Sequence, residues 1–259
     1  MTLIRPGSPV LPGAASGWDL HARLPQTLSP EQIRAVNHPN GAIHDHRTYT
    51  WNGWEFDLPP GVFHPGETSR LVHSRLLDGT IPVAGLRYAA MGAGLGVEAV
   101  VAGVRAAREV YALDVHPESV RTTVRHYTRI LGRYGPPLHP VVADVWEGFP
   151  DGVQVDVVTF NPPAIELPLA DDPDIVRNLC VGRDIAARFF GQLVSRDLLA
   201  PGGVVYLIVS NTAPLRDIVA LALEVGFDAE VVHVEDWPGD DVQTYLFALR
   251  SSGLPSWSD

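Results

Sequence analysis

Three glycines and an acid are spaced so that they could hold a ligand at the end of a strand. Gly92, Gly94 and Gly96 alternate directly after the strand-like segment LRYAAM, residues 86–91. Glycine allows a tight turn and a close approach of the backbone to a ligand, and open α/β sheets bind ligands beyond the carboxyl ends of their strands. Asp114 ends the next strand-like segment, twenty residues after Gly94, where its carboxylate could accept hydrogen bonds from both hydroxyls of a ribose.

These residues also have purely structural interpretations. The glycines could form an ordinary turn between a strand and a helix, and Asp114 could cap the helix that follows it. The glycine spacing separates two ligand classes, because Val97 stands where the dinucleotide fingerprint G-x-G-x-x-G needs a third small residue. The pattern therefore disfavours a nicotinamide dehydrogenase, although that alternative stays open.

A second candidate site follows the strand-like segment VDVVTF, residues 155–160. The strand runs directly into Asn161, Pro162 and Pro163, and a proline cannot donate a hydrogen bond to a sheet ladder. The two prolines leave the backbone little freedom, and Asn161 carries an amide oxygen that can accept a hydrogen bond. A plain turn is the structural alternative to a site that Asn161 faces.

The elements around these residues predict an α/β fold. From residue 85 onward, strand-like and helix-like segments alternate, which indicates a Rossmann-like open twisted sheet of about seven mostly parallel strands with helices on both faces. Two C-terminal segments, 228–236 and 244–250, indicate a closing antiparallel unit with an antiparallel last strand.

The residues before this sheet predict an N-terminal extension. Asn52-Gly53 between two aromatic segments is a strong signal for a β-hairpin, and the segment SPEQIRAV predicts a short capped helix. We therefore expect an extension over 1–60 that could cover a substrate, an α/β domain over 61–251, and a tail over 252–259.

Together these residues resemble the class I S-adenosylmethionine-dependent methyltransferases. The loop GAGLG, residues 92–96, is similar to the first motif of that family. The resemblance implies that Asp114 binds the ribose of the cofactor and that Asp144, at the end of the third strand, reads the adenine amino group. The adjacent Val115 and Val145 are expected to contact the cofactor as well.

The segment NPPA, residues 161–164, resembles the [N/D/S]-P-P-[Y/F/W] motif of methyltransferases that modify planar nitrogens. GVFHPGETSRLV, residues 61–72, resembles the lead-in of the release-factor glutamine methyltransferases and their small-molecule N-methyltransferase relatives. This resemblance, which covers roughly 47–250, implies that the Asn161 amide oxygen and the Pro162 carbonyl accept hydrogen bonds from the target N–H. The nitrogen lone pair would then face the methyl group of S-adenosyl-L-methionine. A direct displacement, which positioning accelerates, would leave S-adenosyl-L-homocysteine.

The resemblance implies further contacts on both sides of the transferred methyl group, and it implies no metal ion. Thr68, like Asn161 itself, is expected to touch the cofactor. Four residues are expected to face the acceptor: His64, Pro163, Ala164 and Glu166.

Two positions depart from the family pattern. Ala90 stands where the first motif usually has an acid that helps to hold the amino end of the cofactor. Contacts at that end must therefore come from elsewhere, or binding is weaker. Ala164 stands where an aromatic ring usually stacks on a flat acceptor, so its small side chain argues against a nucleobase and leaves room for a bulkier or non-planar acceptor.

Other polar clusters have a functional and a structural interpretation. Glu166 opens an acidic run that continues to Asp174. A solvated loop is one interpretation of that run, and attraction of a cationic acceptor is the other. His44 and His46 are two residues apart but lack a third ligand at a recognisable spacing, so we expect them to be structural or solvent-facing and not to bind a metal.

The charge balance bears on the partners. The chain has 19 basic and 30 acidic residues and a formal net charge of −11, so on average it repels phosphate backbones, and we expect no nucleic-acid partner. No apolar run reaches the roughly 18–20 residues of a membrane span. The single Cys180 fits a reducing compartment, so we expect a cytoplasmic protein without a membrane partner.

The combined expectation is a methyltransferase that acts on a nitrogen of a small amino-acid-derived or natural-product molecule, such as an amine, a guanidine or an amide. A close alternative acceptor is the glutamine amide of a partner protein, although the missing ring at Ala164 counts against it. A catalytically silent module that binds S-adenosylmethionine is a second alternative, and a homodimer stays open.

Overall fold

The computed structural model describes residues 17–37 and 41–252 of the 259-residue chain. The predicted tail, 252–259, lies outside the described residues except for Ser252. Within the described part of the chain, no helix is both long and apolar enough to cross a membrane.

The strands and helices are numbered in chain order. The strands are β1 (Arg47–Trp51), β2 (Trp54–Leu58), β3 (Arg87–Met91), β4 (Glu109–Asp114), β5 (Leu138–Val142), β6 (Val155–Phe160), β7 (Leu199–Ser210), β8 (Phe227–Trp237) and β9 (Val242–Ser251). The α-helices are α1 (Gly17–Arg23), α2 (Pro30–Val36), α3 (Glu67–Asp78), α4 (Val97–Val104), α5 (Pro117–Leu131), α6 (Pro173–Leu179), α7 (Asp184–Ser195) and α8 (Leu215–Glu224).

Seven of the strands form one sheet in the order β5-β4-β3-β6-β7-β9-β8. Strands β3 to β7 pair in parallel, whereas β9 lies between β7 and β8 and is antiparallel to both. The predicted Rossmann-like fold, with its mostly parallel sheet and its antiparallel last strand, is therefore confirmed.

Helices cover both faces of this sheet, which explains why its inner strands are apolar on both sides. On one face, α1, α7 and α8 enclose a core that contains Phe189 and Ile218. On the other face, α3, α4 and the β1-β2 hairpin enclose a core that contains Leu76 and Val100. With both faces covered, a ligand meets the sheet at the carboxyl edge of its parallel strands.

The hairpin and α2 form as their sequences predict. Asn52 and Gly53 have left-handed φ angles of 51° and 77°, as the favoured two-residue hairpin turn requires. Ser29 and Gln32 form a reciprocal capping box at the start of α2.

The described residues of the N-terminal extension pack into the two cores of the sheet. Leu20 and Leu24 join the cluster around α8, and Tyr49 and Phe56 join the cluster around α3 and α4. The hairpin and α1 therefore lie on opposite faces of the same sheet.

The acidic run that could have been a solvated loop contains the helix α6. Asp172 caps this helix, because its side chain accepts hydrogen bonds from the backbone N–H groups of Asp174 and Ile175. Pro173 occupies the first helical position, which proline favours, and Asp174 pairs with Arg177 at 2.6 Å. The sequence Asp-Pro-Asp carries this helix-start signal, whereas the acids of the run before Asp172 are exposed in a loop, so the solvated-loop interpretation fails only for the helix start.

Candidate active site

A cavity of about 480 Å³ opens at the carboxyl edge of the sheet, between β3 and β6. The strand order reverses here, since β4 and β5 extend to one side of β3 and β6 lies on the other. Such switch points leave the crevice in which α/β sheets bind ligands. The volume is in the range of pockets for small ligands, so this cavity is the candidate site.

The glycine loop contributes backbone to the cavity wall. Gly92, Gly94 and Gly96 have left-handed φ angles of 73°, 52° and 79°. A Cβ atom at Gly92 would meet no atom within 4 Å, so the backbone there is open to a ligand. A Cβ atom at Gly96 would approach Thr123 of α5 to 2.7 Å. Gly92 and Gly94 therefore line the cavity, whereas Gly96 allows the loop to pack on α5.

Asp114 is anchored by the backbone on both of its carboxylate oxygens. Gly94 N–H donates to Oδ2 and His116 N–H donates to Oδ1, each at 2.8 Å. Burial raises the pKa of Asp114, and these two donors oppose the rise. Helix α5 begins after His116, so Asp114 is not the residue that caps it. Its carboxylate lies in the cavity wall, where the predicted contact with a ribose stays a prediction.

Asp144 forms an ion pair with Arg188 of α7, and both side chains line the cavity. Val145, which follows, is buried and has a left-handed φ of 58°. Val115 also lines the cavity and is 49% exposed. A ligand can therefore reach these residues, and the adenine contacts expected for them stay a prediction. Arg188 is a neighbour of Asp144 that the sequence did not reveal.

Asn161 is held by a hydrogen bond that it donates to another element. Its Nδ2 donates to Oγ of Ser69, a buried residue on the first turn of α3, at 3.3 Å. Within the described residues, the Asn161 Oδ1 atom has no hydrogen-bond partner. One of the two amide N–H groups is engaged and the amide oxygen is free, so Asn161 can accept a hydrogen bond from a ligand.

The prolines that follow make the loop rigid. The Pro162 carbonyl accepts the Ala164 N–H at 2.8 Å, which closes a tight turn, and the Pro163 carbonyl accepts the Val181 N–H at 2.8 Å. A carbonyl oxygen has two lone pairs, so Pro162 can accept a further hydrogen bond from a ligand.

The structure separates the remaining predicted residues into two groups. Thr68, Pro163 and Ala164 line the cavity, as do Asn161 and Pro162. His64 and Glu166 are exposed and lie outside the described cavity wall. His64 packs on the ring of Tyr49 at 5.4 Å, and the acceptor contacts predicted for it and for Glu166 gain no support.

Besides Arg188, three further cavity residues were not predicted from the sequence. Ser69 orients Asn161, and Glu98 accepts hydrogen bonds from two hydroxyl groups. His73 is buried beside Trp51, its Nδ1 has no partner among the described residues, and burial lowers its pKa to about 3. Serine, glutamate and histidine inside ordinary helices carry no local signal, so only their spatial neighbours reveal them.

The structure brings two acids to His44, although the sequence suggested no third ligand. His44, Asp172 and Asp174 have potential ligand atoms within 4.8 Å of one another. Asp172 caps α6 and Asp174 pairs with Arg177, which accounts for both acids without a metal ion. We interpret the cluster as an ion pair that joins the extension to α6.

Comparisons with known proteins show the fold. No protein-family model and no curated protein matches the chain, but solved structures do. A ribosomal protein L11 methylase from Lactobacillus delbrueckii subsp. bulgaricus is 18% identical, with a TM-score of 0.53 over 74% of this chain and 83% of that one. A chain of the E. cuniculi Mtq2-Trm112 complex, responsible for methylation of the eRF1 translation termination factor, is 22% identical, with a TM-score of 0.54 over 74% of this chain and 99% of that one.

A third similar structure is the T. thermophilus 16S rRNA N2 methyltransferase RsmC, solved with AdoMet and guanosine. It is 18% identical, with a TM-score of 0.56 over 80% of this chain and 50% of that one. The present chain thus spans about half the length of this neighbour. All three are methyltransferases, so the chain has the Rossmann-like methyltransferase fold.

These comparisons contradict the expectation that the acceptor is a small molecule and that nucleic acid is not a partner. That expectation is wrong. Structures with this fold include an rRNA methyltransferase and a complex that methylates a termination factor. A net charge of −11 is a sum over the whole chain and does not report the local charge at a binding surface. Ala164 lines the cavity but is only 3% exposed and packs in a core cluster, so its small side chain alone does not exclude a flat acceptor.

Proposed function

We propose that this protein is an S-adenosylmethionine-dependent N-methyltransferase whose acceptor is a side-chain nitrogen of a protein. The observation that carries the proposal is the orientation of Asn161 at the end of β6. Its amide nitrogen is engaged by Ser69, so its amide oxygen is left to accept an N–H in the same cavity as the glycine loop.

The residues of the cavity fit S-adenosylmethionine. The strand order β5-β4-β3-β6 lays Asp144, Asp114, the glycine loop and Asn161 in a row along the carboxyl edge. An adenine beside Asp144 and a ribose at Asp114 leave the amino-acid end and the methyl group beside Asn161. When bound, the cofactor would supply an electrophilic methyl group, and a neighbour with this fold was solved with AdoMet.

The polar groups at the end of β6 suit a nitrogen acceptor. A nitrogen must direct its lone pair at the methyl group, and hydrogen bonds to its own N–H atoms fix that direction. The Asn161 Oδ1 atom and the second lone pair of the Pro162 carbonyl can accept such bonds. Ser69 accepts a hydrogen bond from the Asn161 amide and so holds this side chain in place, and we assign it as a positioning residue. Fixed orientation of this kind accelerates a displacement without a covalent intermediate.

The extent of the structural matches favours a protein acceptor. The match spans 99% of the chain from the termination-factor complex and 83% of the L11 methylase, and both act on proteins according to their names. It spans only 50% of the rRNA enzyme. A glutamine amide is the first nitrogen to test, because the resemblance of residues 61–72 and 161–164 points to it.

A labelling experiment tests this proposal. The protein is incubated with tritiated S-adenosylmethionine and extract of its source organism, after one portion of extract has been treated with ribonuclease and another with protease. We expect label in protein of the ribonuclease-treated portion, with the methyl group on nitrogen by mass spectrometry. Asn161→Ala serves as the control. Label only in RNA would contradict the protein acceptor, and cofactor binding without any transfer would favour the silent module.

A further inference from the structure

Glu98 is a carboxylate in the cavity wall that the proposed chemistry does not use. It lies on the first turn of α4, and its Oε2 atom accepts hydrogen bonds from the hydroxyls of Tyr88 and Thr159. These two buried residues belong to the adjacent strands β3 and β6. Within the described residues, the Oε1 atom has no hydrogen-bond partner, so one oxygen of a fixed carboxylate stays available to a ligand.

Glu98 also lacks a positive partner among the described residues of the cavity. Arg177 and Arg188 line the same wall, but each is paired with another carboxylate. His73 lines the wall too, and its pKa of about 3 makes it neutral. Burial raises the pKa of Glu98, because a carboxylate that is partly removed from water and held only by neutral hydroxyls is costly. A cationic group on a ligand would offset that cost.

The position of Glu98 relates it to Ala90. In the register of β3 and β6, Ala90 pairs with Thr159, and Tyr88 lies two residues earlier on the same face of β3. The two hydroxyls that hold Glu98 therefore flank Ala90. The Glu98 carboxylate, which comes from α4, therefore lies over the part of the sheet where an acidic side chain at position 90 would lie.

We propose that Glu98 binds the α-ammonium group of S-adenosylmethionine, so that helix α4 supplies the carboxylate that strand β3 lacks. This inference rests on the proposed function, since it needs the cofactor in the cavity. If adenine and ribose lie at the ends of β5 and β4, the amino-acid end reaches the boundary of β3 and β6. Glu98 is held there by Thr159, two residues before Asn161.

Two nucleosides that differ only in the amino-acid end test the inference by calorimetry. S-adenosylhomocysteine carries the α-ammonium group, and 5′-methylthioadenosine lacks it. In Glu98→Gln we expect the affinity for S-adenosylhomocysteine to fall about tenfold or more, whereas that for methylthioadenosine changes less than about twofold. Glu109→Gln is the matched control, because Glu109 accepts from the Tyr111 hydroxyl at 2.7 Å and lies outside the described cavity wall. It should change neither affinity.

The other outcomes overturn the inference. Unchanged affinity for S-adenosylhomocysteine would mean that Glu98 meets a cation of the acceptor or no cation, and an equal loss for both nucleosides would mean a structural role. A wild-type protein that binds neither nucleoside would instead contradict the proposed function, and the inference with it. If Glu98→Gln does not fold, Glu98→Asp replaces it, and a smaller loss confined to S-adenosylhomocysteine is expected because the charge stays but recedes.

Discussion

The two halves of the cavity are held by different kinds of contact. In the half with the glycine loop, Asp114 is fixed by backbone N–H groups of Gly94 and His116. In the half at the end of β6, Asn161 is fixed by the side chain of Ser69, 92 residues away in the sequence. The first arrangement depends on backbone conformation, and the second depends on a residue type in another element.

This difference indicates which half of the cavity is more sensitive to the replacement of a side chain. A carboxylate held by backbone donors keeps its place when neighbouring side chains other than the left-handed Gly94 are replaced, because every residue except proline has an N–H. An amide held by a serine loses its orientation when that serine is replaced. We therefore expect cofactor binding to be lost mainly through Asp114 itself, and transfer to be lost through both Asn161 and Ser69.

The largest effect is expected for Asn161→Ala. Removal of the acceptor oxygen should lower the single-turnover rate of methyl transfer by roughly 100-fold or more, because the nitrogen lone pair is no longer aligned. The affinity for S-adenosylhomocysteine should change by less than about tenfold, since Asn161 acts on the acceptor. Rapid-quench transfer beside calorimetry measures both quantities.

Asn161→Asp sharpens this test. For a neutral amide acceptor it should be as damaging as Asn161→Ala, whereas a cationic acceptor would make it milder because the carboxylate adds attraction. Near-normal transfer in Asn161→Ala, or a collapse of cofactor affinity with it, would show that the two halves are not divided as described.

The next effect concerns the cofactor half. Asp114→Ala should weaken S-adenosylhomocysteine binding by about 1.5–3 kcal/mol, the usual value of charge-assisted hydrogen bonds. Isothermal calorimetry gives the number directly, and Asp151→Ala, at an acid whose side chain is 95% exposed, is the control. Equal affinities for the Asp114 variant and the wild type would show that the ribose does not bind at Asp114.

The same division explains what the sequence predicted. Gly92 and Gly94 follow β3 and Asp114 ends β4, so their signals are local and their place at the carboxyl edge follows from the α/β pattern. The partners of Asn161 and Glu98 lie on other elements, and no spacing rule connects them. The start of α6 also carries a local signal, because Asp172 and Pro173 are residue types that favour the cap and the first position of a helix.

A smaller effect is expected for Ser69→Ala. Loss of one hydrogen bond to the Asn161 amide, worth about 1 kcal/mol, should lower the turnover rate about fivefold. The affinity for S-adenosylhomocysteine should stay unchanged, because Ser69 affects how Asn161 is oriented and does not bind the cofactor. Ser69→Thr, which keeps the hydroxyl, should restore most of the rate. If Thr and Ala behave alike, Ser69 fills space and does not position Asn161.

The smallest effect concerns the ion pair between the extension and α6. His44 Nε2 lies 2.6 Å from Asp172 Oδ2. The hydrogen bond and charge of Asp172 raise the pKa of His44 above its ordinary 6.5, and the same bond lowers the pKa of Asp172 below its ordinary 3.8. The raised histidine stabilises the fold below pH 6.5 and loses this effect as the pH rises through its folded pKa. The lowered carboxylate stabilises the fold above pH 3.8 and loses the effect as the pH falls through its folded pKa. The His44–Asp172 pair therefore stabilises the fold mainly in mildly acidic solution.

We therefore expect His44→Gln to lower the melting temperature more at about pH 6 than at about pH 8.5. The difference is small because His44 is 52% exposed, and solvent screens such pairs. His46→Gln is the matched control, since His46 lies 2.9 Å from Asp57 within the hairpin and does not contact α6. Because α6 follows the Asn-Pro-Pro loop, loss of the pair should raise the KM for the acceptor and leave the affinity for S-adenosylhomocysteine unchanged. A melting difference that is equal at both pH values would contradict the role of the ion pair. A cofactor affinity that falls in His44→Gln would mean that the extension supports the cofactor half and not the acceptor half.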